Sequence, residues 1–426
     1  MDKFTNSVYL DEDKCVGCIN CIKRCPTQAI RVRNGKAVIT KKFCIDCGEC
    51  IKICTHHAKK ARYDKLSVLD NYKYTVALPA PSLYGQFNNL DDVNIVLTGL
   101  KKMGFDDVYE VSAAAEIISS ISRKYVAAHP EQRPFISTAC PSVVRLIRVR
   151  FPNLIEHLLP VVAPVDFAAR YARQMAVKKT GLNPEDIGII FISPCPAKMS
   201  AKNNPIGIEK SDIDAVVAIK DVYPSLANKF MRDVADDPEE LAVSGKIGIS
   251  WGRTGGEAAG LLTDSYLAAD GIENVIRVLE DLEDQKFDDI EFIELNACEG
   301  GCVGGVLNVE NPFMAKAKLE KLRKYMPVSR SHSKDILEEM DMSALGWENE
   351  VTYEPVFKLG TTMQESFAKM NQINELLRKF PGLDCGSCGA PTCQALAEDI
   401  VRGNAAETDC VHVLRELYYG GADEKE

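Results

Sequence analysis

The sequence of 426 residues has no long apolar run and no excess of basic residues. No stretch approaches the ~18–20 consecutive apolar residues of a membrane-spanning helix, so we expect no membrane span. The 61 Asp and Glu residues outnumber the 51 Lys and Arg residues, which gives a formal net charge of −10. This acidic balance argues against nucleic acid or an anionic membrane as the main partner.

The N-terminal residues also lack the basic and apolar regions of a secretory signal, so we expect a cytoplasmic protein. Cytoplasmic thiols stay reduced, and the sixteen cysteines are therefore predicted to bind metal and not to form disulfides. Eight cysteines lie between positions 15 and 54, four are dispersed, and four lie between 385 and 410. Four sites of four cysteines each would use all of them.

The first eight cysteines follow the spacing C-x2-C-x2-C-x3-C twice: Cys15, Cys18, Cys21 and Cys25, then Cys44, Cys47, Cys50 and Cys54. Three such cysteines wrap one corner of a [4Fe–4S] cubane, and the fourth binds the other cluster. The expected ligand sets are Cys15, Cys18, Cys21 and Cys54, and Cys25, Cys44, Cys47 and Cys50. Zinc, the alternative, typically uses two separated C-x2-C pairs. The pattern resembles a bacterial-type two-cluster ferredoxin and implies an α+β ferredoxin-like domain over residues 1–64.

Residues 65–360 alternate between strand-like and helix-like segments and end in a polar connector at 331–360. The strand-like segments are 72–80, 108–112, 133–138, 184–198, 214–219, 247–251 and 290–295. Helical periodicity covers 90–103 and 113–128. The alternation predicts an α/β domain with mostly parallel sheets, in which ligands gather at the carboxyl ends of strands. Cys140, Cys195 and Cys298 each follow a predicted strand.

The segment IELNACEGGCVGGV, residues 293–306, places Cys298 and Cys302 among four glycines. Glycine lets a backbone approach a bulky neighbour closely, and a thiolate-bound inorganic cofactor is such a neighbour. A tight turn with two buried cysteines is the alternative, since free cysteine is among the most buried residue types.

Three cysteine loops resemble the signature loops that bind the H-cluster of [FeFe] hydrogenases. They are STACP (137–141), SPCPAK (193–198) and ELNACEGGCVGG (294–305), and WGRTGGEAAGLL (251–262) resembles a further segment of that domain. The resemblance implies a [4Fe–4S] cubane on Cys140, Cys195, Cys298 and Cys302. It also implies that Cys302 bridges to a diiron unit with CO, cyanide and a dithiolate bridge. Lys198 matches the lysine that donates to a cyanide ligand, and an exposed loop lysine is the alternative.

Several positions depart from the catalytic members of that family. Ala139 stands where they have a proton-relaying cysteine, and alanine has no titratable group. Ser193 and Asn296 replace methionines, and Ala201 replaces a glutamate of the proton path. Glu294 remains, either in a proton role or as a buried structural carboxylate. These departures resemble the sensory branch of the family, where slow H2 chemistry reports hydrogen to a signalling partner.

The C-terminal block combines a predicted helix at 363–380 with four cysteines: Cys385, Cys388, Cys393 and Cys410. It resembles the small [4Fe–4S] domain of the corrinoid iron–sulfur protein and of the Rnf complex B subunit. The resemblance implies a small, mainly α domain over 361–426 with a fourth cluster that passes electrons onward. Zinc is again the alternative.

Taken together, the resemblances imply an anaerobic oxidoreductase that converts H2 reversibly to protons and electrons, slowly, in hydrogen sensing. One alternative is a metabolic hydrogenase linked to ferredoxin. Another is an iron–sulfur electron-transfer or assembly protein without the diiron unit. The expected partners are H2, protons and a redox or signalling protein. The electron exit, the cluster potentials and the oligomeric state are left open, with a homodimer among the options.

Ala139→Cys should raise H2 turnover in the matured protein, because it restores a positioned acid–base group. Such groups typically contribute ~10²–10⁴-fold in rate. The measurement is H2 oxidation with a dye acceptor, normalised to bound diiron cofactor. Unchanged turnover with the cofactor in place would mean that another step limits the rate.

Overall fold

The computed structural model describes residues 6–287, 289–330, 345–355 and 359–419. The chain forms two compact units. The larger unit contains Arg62–Tyr353 together with Ile45–Cys47. The smaller unit contains Val8–Cys44 and Gly48–Ala61 together with the segment that follows Tyr353. The three-domain division at residues 64 and 360 stays a prediction.

The strands of the described residues are short apart from two central ones. In chain order they are β1 (Val8–Leu10), β2 (Ile30–Arg33), β3 (Lys36–Ile39), β4 (Lys59–Ala61), β5 (Tyr74–Pro79), β6 (Asp107–Val108), β7 (Phe135–Ile136), β8 (Ile187–Ser193), β9 (Ala215–Ala218), β10 (Tyr266–Asp270) and β11 (Phe292–Asn296).

The α-helices of the described residues are α1 (Asn20–Lys23), α2 (Glu49–Lys52), α3 (Val93–Met103), α4 (Val111–Ala128), α5 (Pro141–Arg150), α6 (Pro164–Thr180), α7 (Pro196–Asn203), α8 (Ile219–Ser225), α9 (Met231–Val234), α10 (Lys246–Ser250), α11 (Gly256–Gly260), α12 (Ile272–Glu283), α13 (Pro312–Arg323), α14 (Met363–Lys379), α15 (Cys393–Val401) and α16 (Val411–Tyr419). None of these helices is long and apolar enough to cross a membrane.

The larger unit is built on two parallel sheets, which confirms the predicted α/β domain with mostly parallel sheets. One sheet has the order β6-β5-β8-β9 and the other has the order β10-β11-β7. Strand β8 is buried along its whole length, as expected for an apolar run without alternation. Its side chains divide between two apolar clusters, with Ile189 and Phe191 in one and Ile190 and Ile192 in the other. Both faces of the four-stranded sheet are therefore covered.

Three strands end just before a cysteine. Strand β7 precedes Cys140, β8 precedes Cys195 and β11 precedes Cys298. Cys140 and Cys195 are also the residues that immediately precede α5 and α7, and a proline occupies the first turn of each helix. Proline favours this position because its missing N–H would have no partner there. The sequence thus turns directly from a strand through a cysteine into a helix.

The predicted strand at 247–251 was wrong, since α10 covers these residues. This helix lies tightly against α4, where a Cβ at Gly248 would meet the Ser112 carbonyl oxygen at 2.0 Å. The buried Glu116 carboxylate of α4 accepts a 2.6 Å hydrogen bond from the backbone N–H of Gly245 at the start of α10. Contact with α4 overrides the β-like apolar pattern, because Gly248 allows the two helices to approach closely and Glu116 accepts a hydrogen bond from the start of α10.

The predicted strand at 108–112 is also shorter than expected, because α4 begins at Val111. The chain turns at Glu110, whose buried carboxylate accepts hydrogen bonds from Val243 N at 2.6 Å and Ser244 N at 3.0 Å. Strand β10 was not predicted. All five of its residues are half-buried, so its pattern lacks the apolar run that marks the central strands. Most of the predicted connector at 331–360 lies outside the described residues.

The smaller unit contains two antiparallel strand pairs, β1–β4 and β2–β3. The one-turn helices α1 and α2 carry Cys21 and Cys50. Helices α14 and α15 pack together through an apolar cluster that includes Ile373, Leu376 and Leu396.

Candidate metal centres and active site

A cavity in the larger unit brings together the three cysteine loops identified in the sequence. It encloses about 860 Å³ of space between protein atoms, part of it open to solvent. The predicted site residues that line it are Cys140, Cys195, Cys298, Cys302, Lys198, Ala139, Glu294 and Asn296. Residues far apart in sequence thus meet at one place.

The local electrostatics determine how easily these thiols become thiolates. Burial, and then the charge of neighbouring cysteines, raise the pKa of Cys195 to about 11 and the pKa of Cys302 to about 12. Lys198 lowers both pKa values, and hydrogen bonds from the backbone of Ala197 and Lys198 lower that of Cys195. A metal ligand must be deprotonated, so a metal that binds here displaces protons from the thiols. The helix start and the lysine partly offset the cost of burying thiolate charge.

Lys198 lies on the first turn of α7 and lines the cavity. Its Nζ donates a 2.9 Å hydrogen bond to the Ala139 carbonyl oxygen, which ties the second cysteine loop to the first. An ammonium group has three donors, so the group can also donate toward an anion in the cavity. The structure therefore places Lys198 against the site and not on an exposed loop.

The glycines of the third loop serve mainly to bring backbone against backbone. A Cβ at Gly304 would meet the Glu299 carbonyl oxygen at 2.0 Å, and one at Gly305 would meet the Pro194 carbonyl oxygen at 2.2 Å. Gly301 has φ +90°, and its missing Cβ leaves room for Thr254 N. Gly301 and Gly305 also line the cavity. The close approaches thus hold the third loop against the second loop and against the segment at 251–262.

Position 139 offers the cavity only a methyl group, but two buried carboxylates lie nearby. Glu257 and Glu294 both line the cavity and both are almost fully buried. Burial and then the charge of Glu294 raise the pKa of Glu257 to about 8. Burial also raises the pKa of Glu294. Because each charge disfavours the other, the pair favours a state that holds one proton near neutral pH.

The two carboxylates have different partners. Glu294 accepts hydrogen bonds from the backbone N–H groups of Gly255 at 3.0 Å and Ala258 at 2.8 Å, and from Asn296 Nδ2 at 2.8 Å. These donors favour the ionised form of Glu294. Glu257 has Ser137 Oγ at 2.5 Å from its Oε2, and desolvation dominates its pKa. We therefore assign the shared proton to Glu257.

Ser193 behaves differently from the sequence-based expectation of a residue at the site. It is fully buried at the end of β8. Its Oγ lies 3.2 Å from the backbone N and 3.1 Å from the backbone O of Cys195. The hydroxyl therefore fixes the turn that presents Cys195. Ala201 lines a neighbouring pocket, together with Asp166.

Glu257 was not among the residues singled out from the sequence. It lies in the segment WGRTGGEAAGLL, where it is the only carboxylate among small and apolar residues. A buried carboxylate usually has a partner. A single carboxylate in a mostly small and apolar segment was therefore the signal that could have identified Glu257. Its pairing with Ser137 connects residues 120 positions apart and could not be inferred from local pattern.

The smaller unit brings together the predicted ligand set Cys15, Cys18, Cys21 and Cys54. Burial raises the pKa of Cys21, and the other three cysteines are close enough to raise it further. Backbone N–H groups point at two of the sulfurs, from Ala37 to Cys15 Sγ at 3.4 Å and from Ala58 to Cys54 Sγ at 3.3 Å. These donors would stabilise thiolates.

Lys59 supplies a test of whether an anionic cluster fits this site. The residue is 3% exposed, and its Nζ has no hydrogen-bond partner among the described residues. Its charge lowers the pKa of Cys21, so the ammonium group lies near the cysteine sulfurs. A buried cation is expected to be paired. A thiolate-ligated cluster would pair it, so the residues present fit an iron–sulfur cluster.

One residue of the second predicted ferredoxin-type ligand set, Cys47, lies in the larger unit. Within the larger unit, Cys47 is buried in an apolar cluster against which Cys140 also packs. The adjacent Asp46 is fully buried and accepts hydrogen bonds from Arg145 at 3.1 Å and Ser200 Oγ at 2.7 Å. These contacts anchor Cys47 to the helices that follow Cys140 and Cys195.

The four C-terminal cysteines also meet at one place, lining a pocket of about 290 Å³ in the smaller unit. Asp384 Oδ1 accepts a 2.6 Å hydrogen bond from the backbone N–H of Cys393. Among the described residues, no three His, Cys, Asp or Glu side chains are arranged to hold a single metal ion. A cubane has a different requirement, because its four cysteines bind four different irons.

Comparison with known families identifies three regions. Residues 73–264 and 257–306 match the family described as the iron-only hydrogenase large subunit, C-terminal domain. Residues 7–55 match a 4Fe-4S dicluster domain, and residues 380–412 match an Fe-S cluster family. The first match covers more than half of the chain.

Individual relatives agree with the family match. Iron hydrogenase 1 of Clostridium pasteurianum is 26% identical over 396 residues, which cover 76% of this chain and 69% of the relative. The periplasmic [Fe] hydrogenase large subunit of Nitratidesulfovibrio vulgaris is 24% identical, covering 70% of this chain and 85% of the relative. The "Probable cytosolic Fe-S cluster assembly factor oxy-4" of Caenorhabditis elegans is 21% identical, covering 54% of this chain and 61% of the relative.

A solved structure shows the same fold. An apo form of the [FeFe]-hydrogenase HydA1 from Chlamydomonas reinhardtii superposes with a TM-score of 0.52 at 14% sequence identity. The match covers 69% of this chain and 98% of that one.

Glu257→Gln should flatten the pH dependence of stability between about pH 4.5 and 8. The folded state holds the Glu257 proton more tightly than the unfolded chain, because burial raises the pKa from 4.5 to about 8. Wild-type stability therefore falls as pH rises through this range, by up to ~1.4 kcal/mol per pH unit from this residue. Urea midpoints of the cluster-loaded protein measure the slope, with the exposed Glu185→Gln as control. Parallel curves for wild type and Glu257→Gln would contradict the assignment.

Proposed function

The chain belongs to the iron-only hydrogenase family, and we propose that it converts H2 reversibly to protons and electrons at the cavity of the larger unit. The conversion is slow, and it serves hydrogen sensing or regulation in the cytoplasm. One observation carries the proposal: four cysteines and Lys198 line a single buried cavity in which position 139 is alanine. The metal-binding residues are thus kept while a proton-relay residue is missing.

The cofactor assignment follows the donor set. Cys140, Cys195, Cys298 and Cys302 would hold a [4Fe–4S] cubane, and Cys302 would also ligate a diiron unit with CO, cyanide and dithiolate ligands. When bound, the diiron unit supplies the H2 chemistry. The site residues fit such a group, because four thiols and the cation of Lys198 line the same cavity. Three further cubanes would occupy the two ferredoxin-type sites and the C-terminal site.

Lys198 has the role of an anion partner. It lies in a largely apolar cavity, where a cation is stabilised mainly by a nearby anion. Cyanide ligands of the diiron unit would be such anions, and a charge-assisted hydrogen bond would orient the unit. The Ala139 carbonyl oxygen already fixes the direction of the ammonium group.

The chain has a proton-holding site despite the loss at position 139. The Glu257 carboxyl group holds a proton at the cavity wall, and Ser137 Oγ lies within hydrogen-bond distance of it. Glu294 accepts three hydrogen bonds that favour its ionised form, and the charge of an ionised Glu294 favours the protonated form of Glu257. Neither carboxylate replaces a thiol at position 139 itself, and we therefore expect slow proton exchange.

Slow exchange suits a sensor, which needs to equilibrate with H2 but does not need to support metabolic flux. The electrons would pass to a redox or signalling protein. A metabolic hydrogenase linked to ferredoxin is the first alternative, since the iron hydrogenase relatives cover most of the chain. An electron-transfer or assembly protein without the diiron unit is the second, and similarity to oxy-4 favours it.

Lys198→Met tests the proposal, with Lys202→Met as its matched control. Lys202 lies on the same helix but faces Asp64 at 3.7 Å. A hydrogen bond to a charged group contributes about 1.5–3 kcal/mol, which corresponds to tenfold or more in binding. At a limiting concentration of synthetic diiron cofactor, Lys198→Met should retain about tenfold less cofactor and lose H2 turnover in proportion. Equal retention and turnover in both variants would contradict the proposed site.

A further inference from the structure

The C-terminal cysteine site is attached to the edge of strand β2 within the smaller unit. The backbone N–H of Val32 donates a 2.8 Å hydrogen bond to the Gly389 carbonyl oxygen. Gly389 has φ +78°, and a Cβ there would lie 2.1 Å from the Val32 carbonyl oxygen. Arg33 donates a 3.1 Å hydrogen bond to the carbonyl oxygen of Cys388, one of the four cysteines. The cysteine loop itself therefore forms the contact.

A buried carboxylate also stabilises the contact between the C-terminal cysteine site and β2. Asp399 of α15 has a side chain that is 7% exposed. It pairs with Arg31 Nε at 2.6 Å and with Arg33 Nη2 at 2.7 Å. The two arginines alternate along β2 and so project from the same face of the strand. A buried carboxylate that loses its partners is strongly destabilised, so the pairing specifies one position for α15.

The contact brings two cysteine sites together. Gly386 directly follows Cys385, and a Cβ at Gly386 would lie 3.0 Å from Lys23 Cε and 3.5 Å from Ile22 Cδ1. Ile22 directly follows Cys21 in helix α1 and is 1% exposed. The residues that follow Cys385 and Cys21 therefore lie against each other, which makes the two sites neighbours within the smaller unit. Electron tunnelling weakens steeply with distance, so this separation favours it.

We propose that this contact is an electron-transfer junction between the C-terminal cysteine site and the site at Cys15, Cys18, Cys21 and Cys54, and that Asp399 is its positioning residue. The inference deepens the proposed function, because it rests on iron–sulfur clusters at both sites. In each exchange one electron leaves a reduced site and reduces the other, and no bond or proton changes. The C-terminal site then exchanges electrons with the ferredoxin-type site of the same unit.

Electron paramagnetic resonance of the full chain tests the junction without the diiron unit. The protein is loaded with cubanes only and fully reduced, so the outcome does not depend on H2 chemistry. Two reduced clusters at short distance broaden and split each other's signals. Removal of the C-terminal cluster by Cys393→Ala should therefore sharpen the signals of the remaining clusters. A wild-type spectrum equal to the sum of separate, unsplit clusters would overturn the proposal.

Asp399→Asn should abolish most of the splitting that the C-terminal cluster causes, which is the part that Cys393→Ala removes, while iron and sulfide contents remain at the wild-type level. Glu398→Gln is the matched control, because it removes the neighbouring carboxylate, which pairs with Arg402 at 3.6 Å on the same helix. It should keep the wild-type spectrum. Full splitting in Asp399→Asn would overturn the role of Asp399. If that variant loses its C-terminal cluster, Gly389→Ala takes its place and should also abolish most of the splitting.

Discussion

The burial of thiolate charge is the constraint on which the rest of the structure depends. A buried thiolate is unfavourable unless positive charge or hydrogen-bond donors surround it, and burial is the main reason that the pKa of Cys302 rises to about 12. Three kinds of group in this fold can stabilise the thiolates. Helix starts follow Cys140 and Cys195, the cation of Lys198 lines the cavity, and backbone N–H groups reach the sulfurs of the ferredoxin-type site. Parallel strands serve this arrangement, because the carboxyl ends of β7 and β11 in one sheet and of β8 in the other lead to three cysteines that line one cavity.

At the cavity, metal binding and proton transfer depend on different residues. Lys198 partly offsets the cost of thiolate charge at Cys195 and Cys302, and this effect does not depend on the side chain at position 139. Proton transfer depends on titratable groups at particular places, and the buried carboxylates that line this cavity are those of Glu257 and Glu294. A protein of this family can therefore keep its metal site at low sequence identity while its rate changes. The ion pairs of Asp399 with Arg31 and Arg33 hold the C-terminal cysteine site against β2, and this contact is the basis of the proposed electron-transfer junction.

Much of the site could be predicted from sequence, because cysteine spacing and glycine-rich loops are local signals. The parallel sheets and the position of Cys140, Cys195 and Cys298 after strands followed from such patterns, and the full set of cavity cysteines and Lys198 followed from the resemblance of their loops to those of a known family. Strand β10 was not predicted because its residues are only half-buried, and α10 was mistaken for a strand because its apolar pattern is short. Glu257 and the Asp399 contacts could not be inferred, since their partners lie 120 and 366–368 positions away. Long-range pairings leave no periodic trace in a single sequence.

Infrared spectroscopy tests the central claim most directly. Anaerobic protein is incubated with a synthetic diiron cofactor and observed under argon and then under H2. The account predicts sharp bands from metal-bound CO and cyanide that shift when H2 is admitted, because the cavity holds the diiron unit beside the cubane. The absence of such bands, in protein whose iron and sulfide contents match four cubanes, would contradict the account and favour an electron-transfer or assembly protein.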